Sequence, residues 1–168
     1  MSDTQVFRIW IKAPAEKIWQ AITDPAWNEK YGYAAPQFFE LKKGGKFHST
    51  PNQGMRDYAE ANGFPMPEVI LDGEVLESEP PRRLVQTWRM LMDPTTGAEP
   101  FTTLTWEIEE AGAGVQRVTI THDTPGAPAT ATMIRGNTEA GAEGGGGWAW
   151  VLSDLKSLLE TGKIMTDA

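Results

Sequence analysis

The chain has 168 residues and a formal net charge of −8, with 15 Lys and Arg against 23 Asp and Glu. Its length and its apolar share of 40% predict one globular domain over residues 1–168. The negative charge argues against nucleic acid or an anionic membrane surface as partner. The lack of cysteine excludes disulfides, thiol catalysis and thiolate-bound metals.

The first part of the chain predicts one strand followed by two short helices. Residues 5–12 are rich in β-branched and aromatic side chains, which favours a strand. After an Ala-Pro break, apolar side chains recur at the spacing of an amphipathic helix over about 14–23. Asp24 and Pro25 then have the form of an N-cap and a first-turn proline, so a second short helix follows.

From residue 37 onward the pattern predicts antiparallel strands. Segments 37–41 and 46–50 flank a Lys-Gly-Gly turn and form a hairpin. We interpret 51–67, which contains three prolines and two glycines, as an irregular insertion. Four more strands are separated by proline- and glycine-containing turns, which is typical of an antiparallel meander. These strands are 69–77, 84–92, 101–109 and 115–124.

The last hairpin has a predictable register. A slip by one residue would turn one strand's apolar set to the opposite face, and burial of one face forbids that. We therefore expect a three-residue loop at 112–114 and His122 on the same side as Trp106. The expected pairs are Ile108 with Val118, Trp106 with Ile120 and Leu104 with His122.

The C-terminal region predicts a glycine-rich loop followed by a long helix. Residues 136–147 include most of the seven glycines of 125–147 and are interpreted as a flexible lid. A continuous apolar stripe then favours a helix over about 147–161, closed by Gly162, with Trp150 opposite the stripe. A sheet with one apolar face needs a cover. We therefore expect an α+β helix-grip fold, in which a curved antiparallel sheet of about seven strands wraps around this helix.

No motif for phosphate binding, metalloprotease zinc or a serine nucleophile is present. With two histidines and no cysteine, we expect no metal and no cofactor. The sequence has no signal-peptide pattern and no apolar run of the roughly 18 residues that cross a bilayer. We therefore expect a cytoplasmic protein without a membrane span.

Seven tryptophans are an excess for a chain of this length. For Trp10 and Trp19, on amphipathic elements near the start, we expect core packing. Trp88, Trp106 and Trp148 lie on two predicted central strands and on the covering helix. Their indoles either fill the core or form flat apolar walls of a ligand pocket.

His122 is the only histidine within an apolar pattern and the only catalytic candidate. It is either a core histidine satisfied by its neighbours or a polar anchor or general acid–base group in a cavity. Met90, Met92 and Met133 either fill gaps in the core or form an adaptable lining. The remaining predicted ligand contacts are Tyr31, Leu104, Ile120 and Leu152.

Together, four segments carry a resemblance to a known superfamily. They are VFRIWIKAPAEKIWQAITDP at 6–25, GEVLESEPPRRLVQTWR at 73–89, FTTLTWEI with VTITHD across 101–123, and GWAWVLSDLKSLLETG at 147–162. The sequence resembles the SRPBCC (START-like, helix-grip) superfamily, within it the branch related to the heat-shock-protein-90 ATPase activator homologues. The resemblance implies a seven-stranded sheet around the C-terminal helix with a cavity between them, but no single function.

Three functions remain open. The first is a carrier or sensor that binds a small apolar or aromatic molecule in the cavity. The second is a cyclase- or dehydratase-like enzyme that uses His122 in the same cavity. The third is an interaction module that engages a second copy of itself or a chaperone through Trp150. The extra N-terminal domain of the chaperone activators is not part of this sequence, which argues against the chaperone partner.

Overall fold

The computed structural model describes residues 3–167 and contains, within them, seven strands and six helices. In chain order they are β1 (Thr4–Lys12), α1 (Ala15–Thr23), α2 (Pro25–Asn28), β2 (Gln37–Phe39), β3 (Lys46–Ser49), α3 (Gln53–Asn62), β4 (Leu71–Glu79), β5 (Arg83–Met90), α4 (Pro94–Gly97), β6 (Thr102–Gly112), β7 (Val115–Asp123), α5 (Pro128–Arg135) and α6 (Gly147–Thr161). None of the helices in this described part has the length and hydropathy of a membrane span.

The strands form one antiparallel sheet in the order β1-β7-β6-β5-β4-β3-β2. Inward-facing residues of the strands and the apolar face of α6 share one hydrophobic core, in which Leu84, Ile120 and Leu155 are fully buried. Helix α1 adds Ile18 and Ile22 to the same core, as its amphipathic spacing predicts. The expected α+β helix-grip fold, with two short helices after the first strand, is confirmed.

The β6–β7 hairpin confirms the predicted register but forms it with a different turn. All three expected pairs are present: Ile108 with Val118, Trp106 with Ile120 and Leu104 with His122. The loop has two residues rather than three, because Ala113 and Gly114 both adopt positive φ (56° and 79°), as a tight hairpin turn requires. A bulge between Glu110 and Gly112 accommodates the extra residue and restores the pairing.

The segment 51–67 is not irregular throughout, because α3 occupies Gln53–Asn62. Asn52 caps the helix by accepting a hydrogen bond from the Met55 N–H at 2.8 Å, and Gly63 ends it in the left-handed conformation. The three prolines that favoured a loop all lie outside these bounds. The cap residues, rather than the prolines, carried the correct signal.

The two N-terminal tryptophans have opposite environments. Trp19 is buried in the core, as predicted. For Trp10 the prediction is wrong, because the side chain is 50% exposed on the outer face of β1, while its neighbour Ile11 is fully buried. Strand alternation allows only one of two adjacent residues to face the core, and here the isoleucine does.

Candidate functional site

An apolar cavity of about 310 Å³ lies beside the first turns of α6. Its walls come from the loop 31–35, from β3 to β5, from α5 and from α6. The volume is at the lower end of the roughly 300–1,000 Å³ of small-molecule sites. Unbranched, flexible methionines suit such a lining to ligands of different shapes. The methionines that border it are Met55, Met90, Met92 and Met133.

Six of the eleven residues predicted to line a pocket or contact a ligand border this cavity: Tyr31, Trp88, Met90, Met92, Met133 and Trp148. The other five are buried in the core beside it and do not border it: Leu104, Trp106, Ile120, His122 and Leu152. All of these five are nearly or fully buried, as their spacing predicts. Periodicity indicates which face a side chain occupies, but not whether that part of the face is filled or open.

Several bordering residues were not singled out from the sequence. Val151 follows Trp148 by three positions on α6, so helical spacing could have identified it. Met55 was overlooked because its helix was interpreted as an irregular segment. The loop 32–35 has no periodic pattern, and no sequence signal places it at a cavity.

His122 is held behind Trp148 by a continuous chain of hydrogen bonds. The Trp148 indole N–H, which can only donate, donates to Nδ1 of His122 at 3.0 Å. Nε2 therefore carries the ring hydrogen and donates to Oγ1 of Thr102 at 2.7 Å. That hydroxyl in turn donates to the Trp88 carbonyl at 2.9 Å. Both ring nitrogens of His122 are thus satisfied by the protein.

Burial determines the charge state of His122. The side chain is fully buried, and burial lowers its pKa from 6.5 to about 4, while the negative charge of Asp123 opposes the shift. The imidazole is therefore neutral near pH 7. To act on a ligand in the cavity, it would first have to lose its bond to Trp148.

Trp88, Trp106, His122 and Trp148 form one contiguous group, which we call the Trp–His cluster. The Trp88 ring meets the imidazole edge-on at 5.1 Å, and the Trp106 ring meets that of Trp148 edge-on at 5.8 Å. Trp88 and Trp148 lie 6.1 Å apart. These are favourable aromatic geometries. Two members of the cluster border the cavity, and the other two support them from behind.

The polar side chains around the cavity are uncharged, and several of them are bonded within the protein. The indole N–H of Trp88, by contrast, is buried without a hydrogen-bond partner among the described residues. The hydroxyls of Tyr31 and Ser49 each donate to a backbone carbonyl, at 2.9 and 2.8 Å. The Asn28 amide is bonded to backbone groups through both its oxygen and its nitrogen. Burial raises the pKa of Tyr31, and the negative charge of Asp154 raises it further, so the phenol stays protonated. No Asp, Glu, Lys, Arg or His occurs among the described residues that border the cavity.

The glycine-rich segment is tied down where it meets α6. A Cβ on Gly147 would lie 2.2 Å from the Ile134 carbonyl oxygen, and one on Gly136 would lie 2.5 Å from the Gly146 backbone. The Asn137 N–H donates to the Gly145 carbonyl at 2.8 Å. Glycine is therefore required here for close backbone approach. The lid role of 136–147 stays a prediction.

The described residues contain no group of three or more His, Asp or Glu side chains placed to hold a metal ion. The arrangement consequently offers an uncharged, apolar surface backed by a rigid aromatic cluster. Such a surface binds by dispersion and by excluding water rather than through ion pairs.

Solved structures with a similar fold come from several bacteria. A protein of Mesorhizobium loti, MLL2253, is 22% identical with a TM-score of 0.67, over 98% of this chain and 99% of that one. CalU16 from Micromonospora echinospora is 21% identical with a TM-score of 0.61, and the match covers 95% of this chain and 77% of that one. The Aha1 dimer from Colwellia psychrerythraea is 20% identical with a TM-score of 0.60, and the match covers 95% of this chain and 98% of that one. At these identities the likeness establishes the fold alone.

No curated protein matches the chain. A family model does, over residues 12–160, which include every residue that borders the cavity. The match covers most of the chain and agrees with the helix-grip architecture. The chain therefore belongs to the family described as activator of Hsp90 ATPase homolog 1-like proteins.

Proposed function

We propose that this protein binds a small, uncharged hydrophobic or aromatic molecule in the cavity beside α6 and serves as a carrier or sensor for it. The observation that carries the proposal is the lining, which is apolar, free of charged side chains among the described residues, and about 310 Å³ in volume. Apolar ligands gain roughly 25 cal/mol for each Å² of surface removed from water. A charged ligand would lose its hydration there without gaining a counter-ion.

The enzymatic alternative has less support. General acid–base catalysis by His122 requires a ring nitrogen within reach of the ligand. Here both nitrogens are bonded within the protein, and Trp148 lies between the imidazole and the cavity. A cyclase- or dehydratase-like role for His122 therefore stays a prediction that requires movement of Trp148.

The test combines intrinsic fluorescence with thermal unfolding. Trp88 and Trp148 border the cavity, so a bound aromatic compound should change the tryptophan emission. A ligand present at 100 times its Kd stabilises the folded state by about 2.7 kcal/mol. For a chain of this size the expected rise in Tm is about 5–10 °C. The panel should contain uncharged naphthalenes, flavone-type rings and medium-chain alcohols.

Two variants make the result specific. Met90→Trp places a larger side chain at the cavity border and should abolish binding. Trp10→Phe changes an exposed indole on the outer face of the sheet and should leave binding intact. If no compound of the panel alters either fluorescence or Tm, or if Met90→Trp binds as well as the parent, the proposal is wrong.

A further inference from the structure

A second, outer space adjoins the cavity. A groove of about 640 Å³ shares part of its border with the cavity, including Tyr33, Met55, Met92 and Gly144. Because these residues border both spaces, the groove lies directly beside the cavity.

The outer wall of this groove carries exposed aromatic side chains. Tyr58 on α3 is 63% exposed, and Phe64, just after the helix, is 48% exposed. Their rings lie 5.6 Å apart, and we call this pair the aromatic step. Trp150, which lies opposite the apolar stripe of α6 and was expected to be exposed for an interaction, faces the same groove and is partly buried. Exposed apolar surface gathered around a concave region marks binding sites.

The aromatic step is presented by a fixed element. Ala59, which follows Tyr58 on α3, is buried, and Met55 packs against the core. The Asn52 side chain that caps α3 also donates to the carbonyls of Tyr33 and Ala34, both at 3.2 Å. Helix α3 is therefore bonded to the loop that borders both the cavity and the groove, and the step keeps its position relative to the cavity.

Charge differs between the two spaces. Among the described residues, no charged side chain borders the cavity, whereas Lys30, Glu143 and Asp154 border the groove. The Asp154 carboxylate accepts hydrogen bonds from the backbone N–H groups of Gly32 and Met165, at 2.9 and 2.8 Å. Charged side chains therefore border the groove but not the cavity, and of the three the Asp154 side chain is itself buried.

From the shared border of the two spaces and their difference in charge we infer that the ligand is an elongated amphipathic molecule that reaches from the cavity into the groove. Its apolar end occupies the cavity, its middle lies on the aromatic step, and its polar end faces outward. This inference rests on the proposed function, because it extends the same site. A compact ligand that fits entirely within the cavity would leave Tyr58 and Phe64 without a role.

A homologous series of 1-alkanols from 1-hexanol to 1-tetradecanol tests the inference, by displacement of the fluorescent, uncharged probe N-phenyl-1-naphthylamine. Each buried methylene should increase the affinity about fourfold. The double variant Tyr58→Ala/Phe64→Ala should bind 1-hexanol within twofold of the parent and bind 1-tetradecanol at least tenfold more weakly. Trp10→Ala, which removes an exposed aromatic outside both spaces, should match the parent at every chain length.

The outcomes separate the two proposals. If the probe and the alcohols bind but the double variant equals the parent at all lengths, the elongated ligand is excluded and the cavity function stands. A loss of equal size at every length also overturns the inference, because the step would then not act on the distal part of the chain. If neither probe nor alcohol binds, the cavity function fails, and the inference fails with it.

Discussion

Strands β6 and β7 turn their inward side chains to a filled core, whereas one end of β3 to β5 borders the cavity through Ser49, Leu71, Trp88 and Met90. In the first region large side chains such as Ile108 and Ile120 are fully buried, and the polar His122 is satisfied by its neighbours. In the second region the bordering residues include small ones that leave space. These are Gly32, Ala34, Ala35, Gly144, Gly145 and Gly147.

The difference between the two regions follows from what covers each of them. The middle of α6 supplies Leu152 and Leu155, whose side chains are buried in the core. Over β3 to β5 the cover consists of a loop, the short α3 and the glycine-rich segment, which bring few large side chains inward. One sheet thus supports a close-packed core and a void, and the size of the covering side chains distinguishes them.

The largest expected effect contrasts truncations in the two regions. Ile120→Ala should lower the free energy of unfolding by about 3–4 kcal/mol, because a fully buried side chain leaves a new void. Met90→Ala should lower it by only about 1 kcal/mol, because that side chain already borders open space. Urea denaturation at pH 7 measures both. Equal losses would show that the region around Met90 is as closely packed as the core.

The second prediction concerns the pH dependence of the Trp–His cluster. The folded-state pKa of His122 is lowered to about 4, so the fold favours the neutral ring. Its contribution to stability is complete above the unfolded pKa of about 6.5 and is lost as the pH falls toward 4. Between pH 8 and pH 4.5 the parent should lose about 2–3 kcal/mol more than His122→Gln does. Parallel pH profiles of parent and variant would contradict the buried, neutral assignment.

The smallest expected change in stability concerns the glycine-rich segment that covers part of the cavity. In Gly147→Ala the added Cβ points at the Ile134 carbonyl oxygen, and alanine has to adopt the left-handed φ of 63°. The free energy of unfolding should therefore fall by about 2 kcal/mol. Gly141→Ala is the matched control: its Cβ meets nothing within 4 Å, and the change in stability should stay below about 0.5 kcal/mol. If neither substitution changes the Tm, the close backbone contacts of Gly147 at the start of α6 do not exist as described.

Much of the fold was predictable because its signals are local. The alternation in β6 and β7 was sufficient to pair Trp106 with Ile120, even though the turn that joins them was assigned one residue too long. Helix α3 was also within reach, since Asn52 and Gly63 are ordinary cap residues, but three flanking prolines favoured a loop. Trp10 shows the converse, since a strongly apolar residue faces solvent because its neighbour faces the core.

The candidate site depended on contacts between distant parts of the chain. The amino-acid sequence determined that Trp88, Trp106, His122 and Trp148 face inward, because strand and helix periods assign each side chain to a face. Only the tertiary structure decided that Trp88 and Trp148 border a cavity while Trp106 and His122 are enclosed behind them. The reason is that a void is defined by the distance and size of groups on opposite layers, and no local pattern specifies how far apart those layers lie.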